Sequence, residues 1–246
     1  MEWIKKAKEK QVLYIHFTMD DNPSLSQSVK DRYKSLYSGA FYERFIEGKW
    51  VTAQGLVYPM FSPERHIKKC KGKFNRFYLS CDYGTVNPFS LGLWGECDGK
   101  WFRLDEYYYS GRDNGIQLTD EEYYRELEKL AENREITALI IDPSAASFIQ
   151  TVLRHGKFRV VKANNDVLTG INRVCQALKD EEIFIYPACT DAIREFSIYR
   201  WDDNIKKDAV KKENDHAMDD IRYFVATVLG RENQNSAFAS VAIERN

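Results

Sequence analysis

Hydrophobic and polar residues begin to alternate regularly at Phe74. Three strand-like runs follow, FYLSCDYG, FSLGLWGEC and KWFRLDEYYYS. The last two runs are joined by Asp98-Gly99, a dipeptide that favours the tight turn of a β-hairpin. The pattern therefore predicts a meander of three antiparallel strands.

Strands and helices alternate after this meander. Thr119 and Glu122 form a capping-box pattern that predicts the start of a helix over DEEYYRELEKLAEN. The apolar run TALIID is typical of a strand that is buried on both faces. The remaining predicted elements are a helix over 144–154, the strand RVVKA, a helix over 168–178 and the strand IFIYP. Such alternation predicts an α/β fold with a central mixed sheet flanked by helices.

The first 50 residues have a different pattern. VLYIHFT resembles a strand, and a capping box at Ser24 and Gln27 predicts a helix over 24–37. A second helix is predicted over 40–47, followed by extended chain. Because the first strand has no sheet to join, this segment is interpreted as the end of a larger domain. The predicted divisions are 1–50, 51–231 and a polar tail over 232–246.

The charge of the chain limits how it could bind nucleic acid. Among 246 residues, 36 are basic and 37 are acidic, so the net charge is -1. A protein with this balance is not basic overall, and a polyanion would have to be held by local patches. Two lysine-rich patches are candidates for DNA binding: Lys68, Lys69, Lys71, Lys73 and Arg76, and Lys206, Lys207, Lys211 and Lys212. The second is favoured because it directly precedes an acidic helix.

Cysteine usage and the first residues indicate an intracellular protein. The five cysteines are scattered, with no C-x-x-C pair, so neither a disulfide framework nor a zinc site is predicted. They are interpreted as reduced, mostly buried thiols. The opening MEWIKKAKEK is charged, unlike a signal peptide, and no run of about 18 apolar residues occurs.

Acidic residues stand at the ends of predicted strands and at the start of the last helix. Carboxylates in such positions are unfavourable to bury unless they are paired, hydrogen-bonded or hydrated. If they converge, they form the all-oxygen environment that Mg²⁺ prefers. These residues are Asp82, Asp142, Asp215, Asp219 and Asp220, with His216 among them.

Each acid also has an ordinary structural explanation. Asp82 could belong to a turn ending at Gly84, and Asp142 could start the turn at Pro143. Asp215 or Asn214 could simply cap the last helix. Taken together, however, two strand acids followed by a late helix acid favour the arrangement of a two-metal nuclease.

Four segments together carry a family resemblance: CDYGTVNPFSLGLWG, ALIIDPSAASFI, ANNDVLTGINRV and NDHAMDDIRYFVAT. They resemble the C-terminal nuclease domain of the large terminase subunit of tailed bacteriophages. The opening IHFTMDDNPSL resembles the stretch that joins the packaging ATPase of that subunit to its nuclease, which would make 1–50 the end of an ATPase domain or a linker.

This resemblance implies a ribonuclease-H-like fold and a metal-dependent endonuclease that cuts concatemeric viral DNA in the host bacterial cytoplasm. The implied partners are double-stranded DNA, the portal protein and the small terminase subunit, with no membrane. The implied cofactors are two divalent cations, Mg²⁺ or Mn²⁺.

Carried over by position, the resemblance assigns the metal to Asp82, Asp142 and Asp219, with His216 as a further catalytic residue. Periodicity alone does not select Asp219 over its neighbour Asp220, which lies on the flank of the buried stripe. His216 could contact a metal-bound water or the scissile phosphate, or could merely cap the helix. Glu106 is a fourth acid, predicted to lie on a solvated strand face.

A packaging motor would need a phosphate-binding Gly-x-x-x-x-Gly-Lys-[Ser/Thr] loop. None of the Gly-Lys pairs has a glycine five residues earlier or Ser/Thr after the lysine; the pairs begin at Gly48, Gly72, Gly99 and Gly156. The sequence therefore predicts a nuclease part without the ATP-driven motor.

Three other interpretations stay open at this point. Asp82-Tyr83-Gly84-Thr85 also fits a phosphate loop of actin-like ATPases and sugar kinases, although no second Asp-x-Gly loop or Gly-rich adenosine motif follows. A non-catalytic docking module of the packaging motor would leave the acids idle. A transposase or junction resolvase would carry similar acids but prefer branched DNA.

Overall fold

The computed structural model describes two compact units of the chain. The first comprises Met1–Gly55 and Arg200–Val210, and the second comprises Leu56–Tyr199 and Lys211–Asn246. The predicted divisions at 50/51 and 231/232 stay predictions, and the tail over 232–246 lies outside the described residues. The residues described are 13, 15–37, 39–49, 51, 53–202, 204 and 208–230.

The first unit contains helix α1 (Gln27–Leu36), which begins at a local cap. The Oγ of Ser26 accepts a hydrogen bond of 3.4 Å from the backbone N–H of Val29. The predicted capping box at Ser24 and Gln27 is therefore wrong, because Ser26 is the residue whose hydroxyl reaches the first turn. The predicted strand at 12–18 is also wrong for its described part, since residues 15–18 form no strand.

A second helix, α2 (Gly39–Phe45), is anchored to the returning segment of the first unit. Arg44 is paired with the carboxylate of Asp208 through both terminal nitrogens, and the bond from Nη2 measures 2.9 Å. The backbone N–H of Ala53 donates to the same carboxylate at 3.2 Å. These contacts explain why Arg200–Val210 is part of the first unit.

The second unit is built on a six-stranded mixed sheet with strand order β5-β4-β1-β2-β3-β6. β2 pairs antiparallel with β1 and with β3, whereas β4 is parallel to β1, β5 to β4 and β6 to β3. This confirms the predicted meander and parallel strands. The strands are β1 (Arg76–Asp82), β2 (Phe89–Cys97), β3 (Lys100–Tyr109), β4 (Ile136–Ile141), β5 (Val160–Lys162) and β6 (Ile183–Ile185).

The turn between β2 and β3 has the predicted geometry. Asp98 and Gly99 have φ angles of 54° and 72°. A two-residue hairpin turn of type I′ requires positive φ at both positions, which Asp and Gly adopt more easily than most residues. The dipeptide therefore fixes the register of the two strands next to the turn, from Cys97 opposite Lys100 to Trp94 opposite Arg103.

Helices cover both faces of the sheet. The predicted capping box of α5 is confirmed, because Thr119 and Glu122 exchange backbone-to-side-chain hydrogen bonds of 2.7 and 3.3 Å. α3 and α4, which have four residues each, and α8 were not predicted. The helices are α3 (Pro63–His66), α4 (Gly111–Asn114), α5 (Asp120–Ala131), α6 (Ala146–His155), α7 (Val167–Lys179), α8 (Thr190–Ile198) and α9 (His216–Phe224), which continues as a π-helical turn over Val225–Leu229.

Alternate residues of the central strands build the two halves of the core. Leu79 and Cys81 of β1 are buried in a cluster with α5 and α6. Ser80, which points to the opposite face, lies on the side of α9, where Trp94 stacks on Phe224 with ring centroids 4.1 Å apart. The sheet thus separates an apolar layer from the layer that contains α9.

The prediction of five reduced cysteines is wrong for one pair. Cys70 and Cys97 form a disulfide with Cα atoms 6.8 Å apart, whereas Cys81, Cys175 and Cys189 are buried thiols. Antiparallel pairing of β1 with β2 places Cys97, at the end of β2, beside the segment that precedes β1. The spacing of the cysteines in the sequence does not reveal this proximity.

None of the helices in the described ranges is long and apolar enough to cross a bilayer.

Candidate functional site

Two of the predicted site acids lie at matching ends of adjacent strands. β1 and β4 run parallel, with Cys81 opposite Ile141. Asp82 is the last residue of β1 and Asp142 directly follows β4, so both carboxylates lie at the carboxyl-terminal edge of the sheet. Adjacent strands are about 4.8 Å apart, which brings the two backbone positions together.

The side chain of Asp82 is hydrogen-bonded to that of His216, the first residue of α9. Nδ1 of His216 lies 2.9 Å from Oδ2 of Asp82, and the two side chains are 18% and 16% exposed. Burial raises the pKa of Asp82 to about 6, although the hydrogen bond from His216 opposes this rise. Burial alone would lower the pKa of His216, but its bond and attraction to Asp82 outweigh burial and raise it.

Asp219 lies one helical turn after His216 and is nearly buried. Two nitrogens of Arg222 contact its Oδ1, Nη2 at 2.9 Å and Nε at 3.2 Å. The ammonium of Lys212 lies 3.8 Å from its other oxygen and 3.6 Å from Asp215. Basic side chains therefore balance the acids around Asp219 in this arrangement.

These groups line an open cleft of about 440 Å³. One wall is the loop that follows β1, and the other is the start of α9 with the residues before it. The lining residues are Asp82, Tyr83, Gly84, Thr85, Val86, Asn87, Lys212, Asp215, His216 and Asp219.

Asp142 is held in its ionised form beside this cleft. Burial disfavours its charge, but hydrogen bonds from Ser144, Tyr223 and Asn165 outweigh burial and lower its pKa. The bond from the backbone N–H of Ser144 to its Oδ1 measures 2.6 Å. Asp142 is therefore available as an anionic ligand, although it does not line the cleft itself.

Tyr223 of α9 lies near the three acids and was missed in the sequence. Its side chain contributes to the lowered pKa of Asp142. Its pKa is raised chiefly by burial and then by the charges of Asp82, Asp219 and Asp142. All three carboxylates thus lie within electrostatic range of one hydroxyl. An aromatic residue inside an apolar stripe gives no sequence signal for such a position.

The three carboxylates do not converge on one point in this arrangement. Among the described residues, only Cys70, Cys97 and Asp98 form a group whose possible ligand atoms all lie within 4.8 Å of one another. The donor set nevertheless fits a hard divalent cation, because it consists of carboxylate oxygens at one sheet edge. The assignment of Asp82, Asp142 and Asp219 as metal ligands stays a prediction.

Asp219 and Asp220 point into different environments. Asp220 is fully buried and accepts hydrogen bonds from Arg103 at 2.7 Å and from Ser90 at 3.0 Å. The hydroxyl of Ser80 also donates to it. Asp220 therefore belongs to the interior of the unit, and Asp219 is the neighbour that lines the cleft.

The prediction that Glu106 lies on a solvated strand face is wrong. Its side chain is 5% exposed and contacts Nε of Arg103 at 3.3 Å. It also accepts the backbone N–H of Asp191 at 2.7 Å, at the start of α8. A helix terminus requires such an acceptor, but the sequence pattern did not predict this helix.

The two lysine-rich patches differ in their distance from the cleft. Lys212 lines the cleft, and Lys211 is paired with Glu213 at 3.8 Å. Lys206 and Lys207 lie outside the described residues. The first patch ends at Arg76, which begins β1, whereas Asp82 ends it. A strand of this length spans about 20 Å, so the first patch lies at the far edge of the sheet.

The loop after β1 has no room for a side chain at Gly84. A Cβ at Gly84 would lie 2.5 Å from the carbonyl oxygens of both Asn87 and Pro88. The hydroxyl of Tyr83 is bonded to Asp120 at 2.5 Å. The close packing of the loop therefore explains why glycine is needed at this position. Because a role in phosphate binding is not needed to explain it, the actin-like interpretation is weakened.

Comparison with known proteins identifies large terminases as relatives. The structure of the large terminase from a thermophilic bacteriophage has a TM-score of 0.81 and 46% sequence identity, covering 93% of this chain and 58% of that one. The large terminase subunit of Escherichia phage T5 is 20% identical over 229 residues, 87% of this chain and 51% of that protein. This chain therefore spans just over half the length of these relatives.

The fold is that of a terminase nuclease domain. The P22 large terminase nuclease domain has a TM-score of 0.55 at 16% identity, covering 69% of this chain and 90% of that domain. No protein family model matches the chain. The ribonuclease-H-like sheet predicted from the sequence is confirmed.

Proposed function

We propose, given that this chain is a homologue of the large terminase subunits of bacteriophages, that it is a metal-dependent endonuclease that cuts double-stranded DNA during genome packaging. The observation that carries the proposal is the meeting of Asp82, His216 and Asp219 in one open cleft. An acid at a strand end and an acid on the last helix, drawn from distant parts of the chain, line this cleft from its two walls, between which a phosphodiester would bind.

Asp82, Asp142 and Asp219 would hold two divalent cations, Mg²⁺ or Mn²⁺. Such ions activate a water molecule for attack on phosphorus and stabilise charge on the leaving oxygen. The carboxylates supply the oxygen ligands that these cations prefer. Asp142, whose pKa is lowered by its hydrogen bonds, would remain ionised throughout.

His216 has two tasks in this proposal. Its Nδ1 orients the carboxylate of Asp82 through the 2.9 Å hydrogen bond. Its raised pKa favours the imidazolium, which could contact a non-bridging oxygen of the scissile phosphate. The ring therefore links the orientation of a ligand to the recognition of the substrate.

Lys212 would attract the DNA backbone at the rim of the cleft. Its side chain is 69% exposed and its ammonium lies near both Asp215 and Asp219. Phosphate contacts position DNA without reading its sequence, so we expect little sequence preference and strong dependence on salt. The substrate proposed is concatemeric viral DNA.

The remaining parts of the packaging reaction are not assigned to these 246 residues. Since the sequence has no phosphate-binding Gly-Lys-[Ser/Thr] loop, ATP-driven translocation would reside elsewhere in the assembly. The portal protein and the small terminase subunit are the proposed protein partners, and the host bacterial cytoplasm is the proposed place of action.

A plasmid-nicking assay tests the proposal directly. The chain is incubated with supercoiled DNA in EDTA, Mg²⁺ or Mn²⁺, alongside Asp82→Asn, Asp142→Asn and the control Glu135→Gln. Glu135 is an exposed acid just before β4, at the opposite end from Asp142. We expect cleavage only with metal, lost in both aspartate variants and retained in the control.

Other outcomes separate the alternatives. No cleavage with any metal by the folded protein would support a docking module. Preferential cleavage of branched DNA would indicate a junction resolvase. Protection of the fold by ATP would favour an actin-like phosphotransferase, and wild-type cleavage by Asp82→Asn and Asp142→Asn would disprove the assigned site.

A further inference from the structure

The helix that carries His216 and Asp219 begins without a local cap. The first backbone N–H groups of any helix need acceptors from outside the helix. Asp215 occupies the N-cap position of α9, yet within the described ranges its side chain makes no capping hydrogen bond. Sequence alone suggested that Asp215 or Asn214 would serve this purpose, so the acceptor must be sought elsewhere in the unit.

Glu195 of α8 supplies the missing acceptor. Its Oε2 accepts the backbone N–H of Ala217 at 2.8 Å and that of Met218 at 3.3 Å. The side chain is completely buried. A carboxylate at this position also interacts favourably with the positive end of the helix dipole. The start of α9 is therefore fixed by a residue that lies about 20 positions earlier in the chain.

The second carboxylate oxygen of Glu195 is hydrogen-bonded to the sheet. The hydroxyl of Tyr108, on β3, donates to Oε1 at 2.7 Å. The guanidinium of Arg194 lies 3.6 Å from the same oxygen. The carboxylate, which belongs to α8, thus connects two other elements. Its Oε1 contacts the sheet and its Oε2 contacts α9. Its rotamer is determined from both sides.

We propose that Glu195 is a positioning residue that sets the place of His216 and Asp219 relative to Asp82. The two capped N–H groups belong to the two residues that lie between His216 and Asp219. Movement of this first turn would therefore displace both side chains together. This inference rests on the proposed function, because it takes Asp219 as a ligand of the divalent cation.

A purely structural cap and a positioning cap differ in one measurable respect. Either would contribute to the stability of α9. Only a positioning cap should change the affinity of the site for a cation, since groups that orient metal ligands typically alter affinity by roughly 10–100-fold when they are removed. Cation affinity measured without DNA is therefore the informative quantity.

The experiment compares Mn²⁺ binding to the full chain by isothermal titration calorimetry. Glu195→Ala removes both acceptors, and Glu195→Gln retains one carbonyl oxygen for the helix N–H groups. Thr119→Ala is the matched control, because it removes the cap of α5, a helix that contributes no residue to the cleft. Urea unfolding of each variant is measured in parallel.

We expect Glu195→Ala to weaken Mn²⁺ binding by roughly 10–100-fold, with Glu195→Gln between this variant and the wild type. Thr119→Ala should unfold at lower urea yet bind Mn²⁺ with wild-type affinity. Wild-type affinity in Glu195→Ala would overturn the inference. Should Glu195→Ala fail to fold, Tyr108→Phe releases the same carboxylate from the sheet, and unchanged Mn²⁺ binding in that variant would equally overturn it.

The two proposals fail in different ways. If the wild-type protein does not bind Mn²⁺, or binds it equally well after Asp219→Asn, the proposed metal site is wrong. If the wild type binds Mn²⁺ through Asp219 and both the Glu195 and Tyr108 variants bind it equally well, only the positioning role is wrong.

Discussion

Arg103 and Asp220 form an ion pair of 2.7 Å in which both side chains are completely buried. Asp220 is adjacent to Asp219 in the sequence, yet it is surrounded by the sheet and bonded to the hydroxyls of Ser80 and Ser90. Two neighbouring aspartates of one helix therefore have different roles. Asp220 fixes the helix on the sheet, and Asp219 faces the cleft.

Neutralising Asp220 should destabilise the fold. Asp220→Asn leaves the guanidinium of Arg103 buried, with Glu106 as its remaining acidic partner among the described residues. Breaking a buried pair from one side costs about 3–5 kcal/mol. Urea unfolding in EDTA measures the change in the free energy of unfolding. Asp219→Asn should lose Mn²⁺ binding with a smaller loss of stability, because the side chain of Asp219 is 11% exposed at the cleft whereas that of Asp220 is completely buried. Equal losses of stability in the two variants would contradict this division.

The placement of the strand acids could be predicted because a strand ends where its apolar alternation ends. Asp82 and Asp142 terminate two such runs, and parallel pairing then brings them to the same edge. The choice between Asp219 and Asp220 could not be made from periodicity, since it depends on Arg103, a partner more than 100 residues away. The order of strands in the sheet decides that contact.

The caps of α8 and α9 could not be predicted either, because they also depend on contacts between residues that are distant in the sequence. Sequence rules find caps that are local, such as Thr119 and Glu122. Glu106 and Glu195 instead cap helices from other elements, so they resemble ordinary charged positions in a strand and a helix. The Cys70–Cys97 bond likewise depends on strand register rather than on spacing.

The stability of the metal-free protein should depend on the ionisation of Asp82. Its pKa in the folded state is about 6, above the ordinary value of 3.8, so the folded protein binds this proton more tightly than the unfolded chain. The resulting stabilisation is fully present below about pH 4 and is lost as the pH rises through about 6. The shift corresponds to about 3 kcal/mol. Urea unfolding in EDTA across this range measures the loss.

The comparison with Asp82→Asn measures the contribution of the Asp82–His216 pair, because Asp82 is the main cause of the raised pKa of His216. The raised pKa of His216 acts in the same direction, with its stabilisation lost as the pH rises through its folded value. The wild type should therefore lose more stability than the variant between about pH 4 and pH 7. Parallel pH profiles for the two proteins would show that Asp82 titrates normally.

Lys212 should contribute one phosphate contact to DNA binding. Lys212→Ala, in the inactive Asp142→Asn background, should lower affinity for a short duplex and reduce the salt slope by about 1. Fluorescence anisotropy at several salt concentrations measures both quantities. Lys129→Ala is a matched control, because Lys129 is also 69% exposed and paired with a carboxylate. An unchanged slope in Lys212→Ala would remove this residue from the DNA interface.

Gly170 of α7 should tolerate no side chain, because Arg222 packs against it. Alanine normally stabilises a helix relative to glycine by about 0.5–1 kcal/mol. At Gly170, however, a Cβ would lie 2.6 Å from Cγ and 2.9 Å from Cδ of Arg222, which is 2% exposed. We expect Gly170→Ala to lower the free energy of unfolding by about 1–3 kcal/mol, as overpacking of a core does.

The same substitution should weaken Mn²⁺ binding, because Arg222 holds Asp219 through bonds of 2.9 and 3.2 Å. Displacing the guanidinium would release the carboxylate from its present orientation. Gly230→Ala is the control, since a Cβ there meets no described atom within 4 Å. It should leave both stability and Mn²⁺ affinity close to the wild type. If Gly170→Ala instead stabilises the fold and binds Mn²⁺ normally, Arg222 does not govern the position of Asp219.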